Sequence, residues 1–421
     1  MKKCSLKYAA LLLALLGPVG VCEASLGSAQ QDGSNTILLQ GFHWNSSAYS
    51  RNWYNTMAQK VSVISALHVT HVWFPPASDS TSKNGYLPRQ LNLLDSYYGT
   101  ESQLKSAVAA FKAVGINSVA DVVINHRVGT TGWGDFTNPT WGTDSITSDD
   151  EWGKGTGKAD TGAGYESGRD LDHTNSTVQS GITAWIKNRL FADVGFRGIR
   201  YDYAKGYAPT YAGQYARATA PDFCVGELWE NLDYSNVDAN RQKLMDYVDG
   251  TGGVCGAFDF TTKGLLNKAL QNNTYGVLAS SSKPAGGIGW WPAKMVTFVD
   301  NHDTGPAETC DSGQNTWPVP CASVMQGYAY ILTHPGVPTL FWPHLFDWGL
   351  YDQIKTLADI RHSQNITSTS KVSIQAAQTG LYAAIIDGKT AMKIGPNSWS
   401  PSGSWTLAAS GVNYAVWTLK Q

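Results

Sequence analysis

No CxxC, HExxH, GxSxG or GxxxxGK[ST] string occurs in the 421 residues. Their absence removes the common zinc, serine-hydrolase and phosphate-loop chemistries. Basic charge is not in excess either: 31 Lys and Arg face 33 Asp and Glu, for a net charge of −2 with His neutral. Nucleic acid or another polyanion would need a basic face, so the balance argues against both. Long apolar runs are missing apart from residues 9–16, which are too few to span a bilayer. Preceded by Lys2, Lys3 and Lys7 and followed by Cys22, Glu23 and Ala24, that run reads as a secretory signal peptide over residues 1–24. A lipid-modified Cys22 is the rival reading, weakened by Val21 where lipoprotein signals carry a small residue. A secreted, extracellular or periplasmic protein with no membrane partner is expected. Cysteine is scarce, and two of the six, Cys4 and Cys22, fall in this leader. Export permits disulfides among the other four, which allow three pairings. Cys310 and Cys321 bracket a short polar loop and are expected to pair locally, leaving Cys224 with Cys255.

Aromatic residues, by contrast, are plentiful, with 16 Trp and 20 Tyr. Most are expected in the core, although flat rings also stack on the apolar faces of sugars. The chain centres on residues 195–206, GFRGIRYDYAKG. Side chains alternate along a strand, so Arg200 and Asp202, two apart, face the same side. A guanidinium within a few ångströms lowers a carboxylate pKa, which makes Asp202 a credible nucleophile. Alone, the pair would serve equally as a structural ion pair. Three further stretches run from apolar strand into polar residues in the same way: DVVINH (121–126), FCVGE (223–227) and FVDNHD (298–303).

Short apolar segments at 37–40, 71–74, 118–124, 198–201, 223–225, 257–260, 295–299 and 339–342 read as eight strands. Segments 53–67, 101–114 and 177–190 have helical spacing between them. Strands alternating with helices predict the α/β class and a (β/α)8, or TIM, barrel, whose catalytic groups gather at the C-terminal ends of the strands. The rhythm breaks between His126 and Asp170, where a long segment is rich in Gly, Asp, Thr and Trp. Loops of that length inside a compact domain are usually functional. Beyond His362 the pattern changes to alternating strands at 374–377, 381–386, 391–394 and 414–419, which predicts a small antiparallel domain.

Those four stretches in that order, together with GYLPRQL (85–91), GWWPAK (289–294) and QGYAYILTHPG (326–336), resemble the alpha-amylase family of retaining glycoside hydrolases, in its plant-type branch. The resemblance covers nearly everything from Ile37 to Trp417. Beyond the leader over 1–24, it implies a barrel over 34–126 and 170–362, an inserted calcium-binding domain over 127–169, and a C-terminal β domain over 363–421. It also implies hydrolysis of internal α-1,4 bonds in starch and malto-oligosaccharides by a monomer. Asp202 would be the nucleophile, Glu227 the acid and later base, and Asp303 the group that binds the distorted sugar. A retaining enzyme holds its two carboxyls about 5 Å apart. Glu227 follows the apolar run FCVG and precedes Trp229, surroundings that favour a raised pKa. His126 and His302 would bond hydroxyls of that sugar and Tyr86 would stack on it. Arg200 would accompany the nucleophile, with Lys205 and Trp229 on the leaving-group side. Trp290 and Trp291 would form a surface site for starch granules. A structural Ca2+ would take Asn125, Asp160, Asp170 and the carbonyls of Ala163 and Gly206. A further calcium of plant-type relatives uses an aspartate where this chain has Gly164, although Asp149 is kept. An exo-acting enzyme, a glucan transferase and a non-catalytic glucan binder remain open alternatives.

Overall fold

A computed structural model describes residues 34–420; the leader expected over 1–24 lies outside them. Eight parallel strands close into a barrel: β1 (Leu38–Gln40), β2 (His71–Trp73), β3 (Asn117–Val122), β4 (Gly198–Tyr201), β5 (Phe223–Gly226), β6 (Gly256–Phe258), β7 (Met295–Phe298) and β8 (Val337–Phe341). Each strand pairs with its sequence neighbours, and β8 returns to β1. Nearly every strand residue is buried, because helices cover the outer wall while side chains fill the interior. Residues 71–74 and 223–225 therefore read as continuous apolar runs rather than as alternating strands.

The helical shell differs from the sequence reading in particulars. Segment 53–67 is two helices, α1 (Trp53–Gln59) and α2 (Val61–Ser65). They part at Lys60, whose N–H reaches back to the Met57 carbonyl just before the β-branched Val61 and Val63. Next comes α3 (Glu101–Ala113), whose start is fixed by a reciprocal cap between Thr100 and Gln103. Then α4 (Ser176–Ala184) runs on into a wider π-helical stretch, Trp185–Val194. That stretch ends at Gly195, with φ of 100° and its N–H on the Leu190 carbonyl, a left-handed stop that glycine adopts without steric cost. The later shell comprises α5 (Pro209–Thr219), α6 (Val237–Gly250), α7 (Phe260–Asn272), α8 (Val324–Thr333) and α9 (Tyr351–Ser363). Phe260 and Trp342, expected at strand ends, instead begin helices. For Phe260 the cause is Asp259, whose carboxylate caps the Thr262 N–H at 2.8 Å and turns the chain.

Two excursions leave the barrel. Residues 126–170 return on themselves, with His126 paired to Asp170 and Arg127 to Arg169 in an antiparallel clasp. Arg127, buried, donates to the carbonyls of Arg89, Thr137 and Pro139 and lies over the rings of Phe136 and Trp141. After α9 a five-stranded antiparallel sheet forms in the order β9 (Val372–Gln378), β10 (Leu381–Ile386), β11 (Thr390–Ile394), β13 (Tyr414–Leu419), β12 (Trp405–Gly411). Sequence patterning missed β12 because its outer-edge position leaves every residue at least partly exposed, without a clean period of two. The sheet packs on α8, where Tyr382 meets the His334 ring nitrogen at 2.9 Å and Gln326 accepts the Gly395 N–H at 3.0 Å. Both disulfides pair as expected, Cys224 with Cys255 and Cys310 with Cys321.

Candidate active site

In the barrel register Arg200 on β4 sits beside Asp121 on β3 and Val225 on β5. Its fully buried guanidinium organises the mouth. One terminal nitrogen, Nη1, donates to Asp121 Oδ1 at 2.8 Å and to Asp202 Oδ1 at 2.7 Å, while Nη2 meets Glu227 Oε2 at 2.8 Å. Trp73 and Tyr86 cover the guanidinium with their rings. Asp121, to which the sequence reading assigned no role, also accepts from Trp73 Nε1 and from the Tyr86 hydroxyl at 2.9 Å, so it sets the tilt of Tyr86.

Tyr203 follows the strand in a left-handed conformation (φ 43°), strained for an aromatic residue, and that turn aims its N–H at Glu227 Oε2, 3.1 Å away. On the opposite side Gln40 donates to His302 Nδ1 at 2.8 Å, which leaves the ring N–H on Nε2, 3.3 Å from Asp303 Oδ2. The Asn301 side chain accepts the Asp303 and Thr304 N–H groups and shapes that turn.

Two cavities, of about 370 and 270 Å³, meet at Tyr203, Glu227 and Trp229 and form one cleft. Asp202, Asp303, Tyr86, His302 and Trp44 line the larger cavity, and Lys205 the smaller. Trp229 lies parallel to Phe260, and its carbonyl takes a 3.0 Å bond from Lys205 Nζ. The cleft thus gathers Asp202, Glu227, Asp303, Tyr86, His302, Lys205 and Trp229. His126 is not among its lining residues: its ring stacks on Tyr165, and Nε2 donates to the Tyr86 carbonyl at 2.8 Å. It faces the wall from behind, and Tyr165 takes the lining position. Trp290 and Trp291 lie away from the mouth. Trp290 is exposed with the Arg241 guanidinium over one face, and Trp291 packs partly against the core.

Burial raises the pKa of all three acids. The expected lowering of Asp202 by Arg200 is present but smaller than this desolvation. Opposing its protonation are the charge and hydrogen bond of Arg200 together with a bond from Glu227. For Glu227 burial comes first, Arg200 opposes it, and the negative charge of Asp202 raises it further. In Asp303 burial and the charge of Glu227 act together.

Behind the cleft the inserted segment meets β3 and the turn after β4. Asn125 donates to Asp170 Oδ1 at 2.9 Å, the Ala163 N–H bonds the Lys205 carbonyl, and a side chain on Gly206 would overlap the Asn125 amide. Asp160 Oδ2 is buried with no partner. Burial, then the charges of Glu151, Asp160 and Asp150, push Asp170 up to about 8. Carboxylate oxygens of Asp150, Glu151 and Asp170 lie within 4.8 Å of one another. Sequence reasoning missed Asp150 and Glu151, whose only signal was the acidic run 149–151. The Glu151 carboxylate fills the space a side chain on Gly164 would occupy. The orphaned Asp160 oxygen, close to an Asp170 raised by the neighbouring negative charges, suits a hard divalent cation.

A closed parallel barrel with acids and a guanidinium converging at the strands' C-terminal ends has the architecture of an enzyme. A family profile described as "Alpha amylase, catalytic domain" matches residues 54–141, and "Alpha-amylase C-terminal beta-sheet domain" matches residues 363–418. "Probable alpha-amylase 2" of Arabidopsis thaliana is 42% identical over 94% of this chain and 96% of its own length. A glucan 1,4-alpha-maltotetraohydrolase of Stutzerimonas stutzeri is 30% identical over 97% of this chain and 77% of its own. In fold, the alpha-amylase of Geobacillus thermoleovorans complexed with acarbose superposes with a TM-score of 0.66 at 16% identity, covering 92% of this chain and 98% of that one. The chain belongs to the alpha-amylase family.

Proposed function

We propose that the chain hydrolyses internal α-1,4-glucosidic bonds of starch and related glucans with retention of configuration. The observation that carries this reading is the single guanidinium of Arg200 holding Asp202 and Glu227 side by side in a cleft, with Asp303 also lining it. Glu227 delivers its proton to the glycosidic oxygen while Asp202 attacks the anomeric carbon, and a covalent glycosyl-enzyme forms as the leaving chain departs. Glu227, now ionised, takes a proton from water, which attacks the same carbon and releases Asp202. Asp303 and His302 bind hydroxyls of the distorted ring, Tyr86 stacks beneath it, and Lys205 and Trp229 line the leaving-group side. His126 positions Tyr165. Trp290 offers its uncovered face to starch granules beside Trp291.

The insert's acidic cluster suits a calcium ion held by Asn125, Asp160, Asp170 and the Ala163 and Gly206 carbonyls. Such an ion would supply structural charge compensation where the insert meets the barrel, with no part in bond cleavage. We divide the chain at 126/127, 169/170 and 362/363. The leader, the paired cysteines and the mildly acidic charge support an exported monomer. The maltotetraohydrolase relative favours a second reading, exo attack that releases one product length. A chromatographic time course on soluble starch separates these readings. Mixed oligomers appearing early support endo attack, one dominant length exo attack, and longer products transfer; unchanged starch refutes catalysis.

A further inference from the structure

Three tryptophans among the described residues are exposed, Trp133, Trp152 and Trp290, and the first two belong to the inserted segment. Trp133 is 48% and Trp152 55% exposed, and their rings lie nearly parallel, 19° apart, with centroids at 6.3 Å. Eighteen residues of chain, 134–151, separate two large apolar faces that could each have turned inward. Trp141, between them, does so and packs under Arg127.

Both exposed rings are held by purpose-built local structure. Trp133 has φ of 62°, left-handed and unfavourable for a bulky residue. Its turn is kept closed by Asp135, whose carboxylate accepts the N–H groups of Thr131 and Gly132 and the Thr131 hydroxyl. Trp152 is fixed at three points. Its N–H bonds Asp150 Oδ2, its indole N–H donates to the Glu166 carbonyl at 2.9 Å, and the Arg169 guanidinium, itself paired with buried Asp150, lies over the ring. Strain and anchoring that keep two indoles in water stabilise no core. They fit a surface that binds something.

Glu166 lies between Tyr165 and Ser167, both of which line the cleft. One hydrogen bond therefore joins Trp152 to the cleft rim, so the tryptophan pair continues the proposed substrate wall outward. We propose that Trp133 and Trp152 form an auxiliary docking platform for an α-glucan chain, engaging polymer that extends beyond the cleft. The occupant follows from this continuity, and from two exposed indoles, whose apolar surface suits sugar rings without needing charge. The inference rests on the glucan reading of the cleft.

The test compares the wild type with the Trp133→Ala/Trp152→Ala and Trp133→Phe/Trp152→Phe double variants. Affinity for soluble amylopectin is measured by gel-retardation electrophoresis, together with KM on starch and kcat/KM on a short chromogenic maltotrioside. The alanine pair is expected to bind amylopectin roughly tenfold more weakly, with a matching rise in KM on starch. Turnover of the maltotrioside should stay unchanged, and the phenylalanine pair should retain most of the polymer affinity. Unaltered amylopectin affinity in the alanine pair overturns the proposal. So does an equal loss on the maltotrioside, which would mean a damaged cleft. A change in sedimentation without a change in polymer affinity also overturns it and assigns the rings to self-association. If the wild type cleaves no starch, the cleft reading fails, while the retardation arm still scores the platform by itself.

Discussion

At the scale of single residues, one guanidinium sets the acid–base assignment. Arg200 touches Asp121, Asp202 and Glu227 at once, so their protons redistribute as a unit rather than as three independent groups. The proposed mechanism requires Asp202 ionised and Glu227 protonated. Asp202→Asn and Glu227→Gln each preserve shape while removing the charge or proton used, so each should lower kcat by several orders of magnitude with an unchanged melting temperature. Residual turnover above a few per cent in either purified variant would contradict the assignment. The same electrostatics predict a directional change in pH dependence. Lys205 favours ionised Glu227 and so lowers its pKa. Lys205→Met removes that positive charge, the proton then persists to higher pH, and the basic limb of kcat/KM should move upward. A limb that stayed in place or moved down would show that Glu227 does not govern it.

At the scale of elements, close approach between strand and helix positions the acid. Gly226 ends β5 directly before Glu227, and a Cβ there would sit 2.6 Å from Tyr247 Cε1 on α6 and closer still to its hydroxyl. Tyr247 is buried and cannot swing into solvent, so Gly226→Ala must part β5 from α6 and carry Glu227 with it. Overpacking of this kind costs about 1–3 kcal/mol. Lower thermal stability and a fall in kcat should appear together, and wild-type values of both would refute this account. The expected single helix over 53–67 and the strand reaching Phe260 fail at this same scale. A break at Lys60 and a cap at Asp259 are decided by one or two residues that barely alter the hydrophobic pattern.

At the scale of the whole molecule, the inserted segment is tied to the barrel where Asn125, Asp160, Ala163, Asp170 and Gly206 converge, and the proposed calcium would lock that junction. An ion bound only by the folded state at a hundredfold excess over its dissociation constant adds about 2.7 kcal/mol. Chelation should therefore lower the unfolding temperature and the activity together. Calcium should restore both, whereas magnesium, which demands tighter octahedral geometry, should not. Indifference to chelation in protein verified as metal-free would remove the site.

The sequence by itself determined the barrel and its chemical vocabulary. Strand and helix periodicities are local properties, and eight strands alternating with helices leave few ways to bury their apolar faces. Arg200 on β4 and Asp202 just past its end, two apart, share a face, and the short loop between Cys310 and Cys321 made their pairing local. Only the tertiary structure decided what each polar group meets. Asp121 serves Tyr86 and Arg200 across strand register, and His126 lies behind Tyr165. Glu151 fills the space beside Gly164, and two of the insert's three tryptophans face water. Hydrogen-bond partners, desolvation and exposure depend on groups distant in sequence, so the order in which residues follow one another carries little trace of them.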